Sequence, residues 1–212
     1  MVRAGRQEGF TLLELMIVVT IVAVVAALAA PAIASALNAR RANEASLDLV
    51  RLAKRARSES AAYGRAHLLR VMPAGAGGSS RGRVEAWRGD NNACNTNQWG
   101  AIITSDCRTN DACIDQLDLE MDHYDVGSNH VAMALPDFGE TIDVCYEPTG
   151  VMQWRTGTSG RFSDRQSEFG SSSNDLHGGV RARFEPRDGS GTKNGVARWA
   201  VLPLGGDART LR

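Results

Sequence analysis

Glu14 is the one ionisable side chain between Glu8 and Arg40, and it stands at the front of a long apolar run. A carboxylate beside a hydrocarbon layer is costly to bury, and chains keep one there for a partner. Its expected chemistry is that of an anion held for a cation. Cys94, Cys107, Cys113 and Cys145 offer a second chemistry, since four thiols can close two disulfides in any of three pairings. Zinc is the rival use of thiols, but no CxxC pair is present and His67, His123, His130 and His177 are scattered. Asp115, Asp118, Glu120, Asp122 and Asp125 supply oxygen ligands without the D-x-[DN]-x-[DN]-G spacing of a calcium loop, which reads as a solvated acidic loop. The serines between 158 and 173 lie in Gly-rich sequence with no G-x-S-x-G elbow and no paired His. The expectation is a protein without an active site, cofactor or metal.

The elements that must position these groups begin with the run itself. Leu15 to Ala34 is 20 residues interrupted only by Thr20 and Pro31. At about 1.5 Å per residue this is enough to cross a hydrocarbon layer of roughly 30 Å. Arg3 and Arg6 precede it, so the positive-inside rule places the N-terminus in the cytoplasm and the rest of the chain beyond the membrane. A secretory signal shares the basic start, and Ala27, Ala29 and Ala30 resemble its cleavage site, but its apolar stretch is only about 7–15 residues.

Gly9-Phe10-Thr11-Leu12-Leu13-Glu14 resembles the processing motif of type IV prepilins and type II secretion pseudopilins. The resemblance implies that a prepilin peptidase cuts between Gly9 and Phe10, that Phe10 is then N-methylated, and that the apolar helix stays. It also puts Pro31 where many family helices kink, although Pro31 could equally end the helix. A new amine at Phe10 and a carboxylate four residues on can neutralise each other between neighbouring subunits, so Glu14 would set axial register.

A second helical stretch is expected from about 35 to 63, with Ala42, Ala45, Leu49, Leu52, Ala53 and Ala56 at three- and four-residue spacing on one face. Arg40, Arg41, Glu44, Asp48, Arg51, Lys54, Arg55, Arg57 and Glu59 occupy the other, and Gly64 stops it. Beyond lie seven candidate strands: Ala66–Met72, Arg83–Arg88, Trp99–Thr104, Thr141–Tyr146, Val151–Trp154, Val180–Glu185 and Val196–Leu202. Residues 105–140 and 155–179 carry few strand signals and read as long loops. The expected class is α+β, a long N-terminal helix on an antiparallel domain of two small sheets. The expected divisions are a leader 1–9, a membrane or filament-core helix 10–34, its amphipathic continuation 35–64, and a periplasmic β domain 65–212.

The run from Trp99 to Asp106, the turn Glu147-Pro148-Thr149-Gly150 and the ending Arg198 to Gly205 are similar to the GspH/FimT group of minor pilins and pseudopilins. That likeness implies a subunit near the tip of a secretion pseudopilus or a type IV pilus, in the bacterial inner membrane before assembly. Its partners would be prepilin peptidase, other pilins and, indirectly, a separate assembly ATPase. Some FimT-like subunits contact DNA through basic residues near the C-terminus; Arg198, Arg209 and Arg212 are the candidates, with Arg181, Arg183 and Arg187 nearby. So few phosphate contacts would give weak, salt-sensitive binding. With 24 basic and 24 acidic side chains, no chain-wide field favours nucleic acid.

Overall fold

A helix that starts at Leu12 needs an acceptor for its first free N–H groups, and Thr11 provides one. In a computed structural model that describes residues 10–104, 106–121, 123–126, 129–163, 179–203 and 207–211, the Thr11 hydroxyl accepts the Glu14 N–H at 3.2 Å and the Glu14 carboxylate accepts the Thr11 N–H at 3.0 Å. This is a reciprocal capping box. Helix α1 then runs Leu12–Tyr63, 52 residues, and passes through Pro31, so the alternative of a helix end there does not occur. It stops at Gly64, whose φ of +65° only glycine takes up without strain and whose N–H closes on the Ser60 carbonyl at 3.1 Å.

The chain divides into two compact units, Met1–Leu37 and Asn38–Arg212. In the first, the apolar side chains from Phe10 to Leu37 face outward without cover. In the second, α1 buries Ala42, Ala45, Leu49, Leu52, Ala53 and Ala56, the stripe read from the sequence. Its small residues let two sheets approach closely. The opposite face carries ion pairs at helical spacing, Arg40–Glu44, Arg51–Asp48 and Arg55–Glu59, each at 2.8 Å. Exposed pairs of this kind contribute only about 0.3–0.5 kcal/mol each.

The described strands are β1 (His67–Pro73), β2 (Gly82–Arg88), β3 (Cys113–Asp118), β4 (Asp125–Val126), β5 (Asn129–Ala134), β6 (Ile142–Tyr146), β7 (Met152–Thr156), β8 (Gly179–Arg187), β9 (Arg198–Pro203) and β10 (Arg209–Leu211). They form two antiparallel five-stranded sheets, sheet A in the order β3-β2-β1-β6-β7 and sheet B in the order β10-β9-β8-β5-β4. The α1 stripe meets both: Leu69, Val71, Val84 and Val144 from sheet A, and Met133, Val180, Phe184 and Leu202 from sheet B, share one core with it. Because side chains alternate across a strand, Leu68, Trp87 and Cys145 point to the other side of sheet A. There they form a second buried cluster with Ala66, Cys94, Trp99, Ile102 and Phe162.

Two expectations need correction. Trp99–Thr104 is not a strand, because Gln98–Ile102 forms a short helix, α2, that buries Trp99 and Ile102 three residues apart against that cluster. An apolar run this short fits either period, and burial on one side selected the helix. Residues 105–140 are not a long loop either, since β3, β4 and β5 lie there. The polar side chains Asp115, Gln116 and Asp118, the last of them buried, hid its strand pattern. The strand β10 in the C-terminal tail was likewise not foreseen. Of the expected loop 155–179, residues 164–178 lie outside the described residues.

Candidate functional site

The first group of site residues lies at the start of α1. Gly9 and the leader fall outside the described residues. Phe10 is 87% exposed. Glu14 sits four residues on, in the first turn, with its carboxylate accepting from both the N–H and the hydroxyl of Thr11 at 3.0 Å. Thr11 was passed over in the sequence reading, although the T-x-x-E spacing before an apolar run is the signal that finds it. From there to Ile33 the helix presents apolar side chains all round, and its polar interruptions are neutralised locally: Thr20 donates to the Met16 carbonyl at 2.8 Å and Ser35 to the Ala32 carbonyl at 2.9 Å. A helix surface of this kind is stable only in lipid or against similar helices. It is the one helix among the described residues long and apolar enough to cross a membrane.

The cysteines form two bridges, Cys94–Cys145 with Cα atoms 5.9 Å apart and Cys107–Cys113 with Cα atoms 5.1 Å apart. The first joins the excursion after β2 to β6 in the second core. The second closes a small ring at the start of the edge strand β3. Among the described residues no three His, Cys, Asp or Glu side chains gather as a metal site would require. The acidic loop disperses instead. Asp115 pairs with Arg55 at 2.8 Å, Asp118 with Arg108 at 2.8 Å, and Glu120 accepts the Ser80 N–H at 2.6 Å. Asp122 lies outside the described residues.

Charge is also built into the sheets, where sequence gave no signal. On the outer face of sheet A, Asp143 on β6 is fully buried and is gripped from both neighbouring strands, by Arg70 at 2.8 Å and Arg155 at 2.7 Å. Arg155 also lies 4.4 Å over the Phe162 ring. Beside them Glu85 accepts the Trp87 indole N–H at 3.1 Å, and burial pushes its carboxyl above the usual range. Such a network ties four strands, β1, β2, β6 and β7, together.

Strand β8 places Arg181, Arg183, Glu185 and Arg187 on the outer face of sheet B. Glu185 is nearly sealed from solvent and draws three cations, Arg183 at 2.7 Å, Arg187 at 2.9 Å and Lys193 at 2.9 Å. Burial works against its charge, but these partners hold its carboxyl below the usual range. Arg181 makes two bonds to Asp137, at 2.6 and 3.0 Å. Arg209 pairs in register with Val201, itself opposite Arg181, and so shares this face, whereas Arg198 pairs with Phe184 on the core-facing side. The candidates Arg198 and Arg209 are therefore not brought together, and Arg212 lies outside the described residues.

No curated protein and no solved structure matches the chain. Residues 5–30, which include Gly9, Phe10, Thr11 and Glu14 and most of the apolar stretch, match the family model of the prokaryotic N-terminal methylation motif. That motif, on an exposed apolar helix, indicates a type IV pilin-like precursor and implies processing by prepilin peptidase and assembly with other pilins.

Proposed function

We propose that the chain is a minor pseudopilin or minor pilin of the GspH/FimT group that enters a type II secretion pseudopilus or a type IV pilus, near its tip. Prepilin peptidase removes residues 1–9 between Gly9 and Phe10, and Phe10 receives an N-methyl group. Residues 10–34 anchor the subunit in the inner membrane and later pack in the filament core, while the β domain stands in the periplasm. A separate cytoplasmic ATPase drives growth. One observation carries this reading: Glu14 is the lone charge at the head of an uncovered apolar helix, inside the segment that matches the methylation motif. Two disulfides and a helix packed on two antiparallel sheets agree with an exported structural subunit.

A nucleic-acid role has less support. Arg198 and Arg209 face opposite sides of sheet B, and Arg181, Arg183 and Arg187 are already engaged by carboxylates. The deciding experiment is the intact mass of the full chain expressed with and without a prepilin peptidase. Loss of nine residues and gain of one methyl group, abolished by Gly9→Val, is the expected result; an intact N-terminus, or a cut after Ala29 or Ala30, would overturn the reading.

A further inference from the structure

We propose that Glu85, Arg83 and Gln116 form a proton-operated latch on the edge strand β3. With its proton in place Glu85 donates to Gln116 and leaves Arg83 to Asp118. Once the proton is gone, Arg83 is drawn to Glu85 and both ties to β3 slacken. The register brings the parts together: across β2 and β3, Glu85 stands opposite Gln116 and Arg83 opposite Asp118, all on the outer face of sheet A. Side chains directly opposite on one face are about 4.5–5.5 Å apart at Cβ, within reach of a carboxyl and an amide. Among the described residues, the enclosed Gln116 Oε1 has no hydrogen-bond partner, and neither has the Arg83 Nε. Arg83 hangs instead between two carboxylates, its Nε 3.4 Å from Asp118 and its Nη1 3.8 Å from Glu85. An enclosed acceptor left without a donor costs about 1–3 kcal/mol, and a carboxyl O–H directly opposite can supply one.

Glu85 is suited to keep that proton. It is 7% exposed, and one of its oxygens accepts the Trp87 indole N–H. Nearby cations are engaged elsewhere. Arg70, opposite on β1, gives two bonds to Asp143, at 2.8 and 3.0 Å, and Arg108 gives one to Asp118 at 2.8 Å. Burial is the largest influence on Glu85 and, with the like charge of Asp106, pushes its carboxyl above 4.5 against the indole bond, Arg83 and Arg70. The sign follows from that direction: the stabilisation is whole below pH 4.5 and is lost as pH rises through the folded value. Strand β3 is the part that responds, because it pairs on one side only. It begins with Cys113 of the small disulfide ring, and its Asp115 and Leu117 wall a cleft of about 370 Å³ that Asp48, Arg51 and Arg55 of α1 also line. Releasing the latch loosens that wall.

The latch needs neither processing nor assembly, so it stands or falls apart from the filament reading. The full chain in detergent micelles serves for the test. Two quantities are followed by NMR: the titration of the Glu85 carboxyl carbon, and the amide exchange of Ile114 to Leu117 against that of Val144 on β6, each corrected for intrinsic rates. A Glu85 midpoint above 4.5 is expected, with β3 protection falling about tenfold between about pH 5 and about pH 8 while Val144 stays level. Glu85→Gln keeps a donor for Gln116 and cannot ionise, so it should hold β3 at its acid-side protection across the range. A Glu85 midpoint at or below 4.5 would overturn the latch. So would β3 protection that is flat, or that rises with pH as a Gln116 N–H turned toward an ionised Glu85 would make it, or an unchanged fall in Glu85→Gln. The wild-type titration decides even if Glu85→Gln does not fold.

Discussion

Thr11 and Glu14 hydrogen-bond each other in both directions, so the carboxylate that the assembly reading assigns to a neighbour's amine is already occupied within its own helix. Before assembly the pair keeps the Glu14 charge from standing alone; on assembly the same oxygens exchange a weak N–H donor for a full cation. Thr11→Ser should therefore preserve the first turn, while Thr11→Ala should fray it by about 1 kcal/mol. Amide exchange of Leu12 to Met16 in micelles is the measurement, and equal protection in both variants would show that the box contributes nothing.

Asp143 gives a second prediction. Its side chain is fully buried between Arg70 and Arg155, so removing the carboxylate strands two cations in the outer layer of sheet A. Asp143→Ala should cost about 3–5 kcal/mol, as expected for an uncompensated buried charge. Arg155→Ala alone should cost less, because Arg70 still answers Asp143, and the double variant should fall short of the sum. Urea midpoints of the three variants decide the matter.

The two disulfides should differ in weight. Cys94 and Cys145 are 51 residues apart in sequence and Cys107 and Cys113 only 6. Loop-closure entropy then assigns about 4 kcal/mol to the first and about 2 kcal/mol to the second. Thermal unfolding should accordingly fall further for Cys94→Ala with Cys145→Ala than for Cys107→Ala with Cys113→Ala.

His67 supplies a pH dependence. It lies at the start of β1 with no exposed surface, its Nδ1 3.0 Å from the Arg65 carbonyl and its Nε2 3.8 Å from Glu59. Burial lowers its pKa from 6.5, outweighing the Arg65 carbonyl and Glu59, which favour the proton, while Arg88 adds to the lowering. Above pH 6.5 the ring is neutral folded or unfolded and costs nothing. Below it the unfolded chain takes the proton first, so stability is lost until the folded pKa is passed. His67→Gln should flatten the acid side of the stability curve between pH 7 and 5, and an unchanged slope would exclude His67 as its source.

How far the sequence foretold this structure depended on the kind of signal each element carries. The apolar run and the Ala-rich stripe are periodic over many residues, so α1 and its buried face could be read directly. The turn at Glu147 to Gly150 was legible because Pro and Gly have steric reasons to be there, and Gly150 indeed takes φ +85°. Strand β3 was not legible: it lies at the edge of sheet A, where an exposed Asp115 and a half-buried Gln116 sit side by side, so its alternation is incomplete. Nor could sequence show that Arg70 would join Asp143 and Arg155, since that contact depends on the register of β1 against β6, 73 residues away at Asp143.

Both sulfurs of the Cys94–Cys145 bridge are shut away from solvent, under a cover that includes Trp87, Trp99 and Phe162. An oxidant can reach them only while that cover is open, and a reductant meets the same barrier once it has closed. The order of events in maturation is thereby constrained: the bond forms first and the aromatic lid settles after it. Once closed, the bond is shielded by its own packing, and later changes in the surrounding redox poise do not reach it.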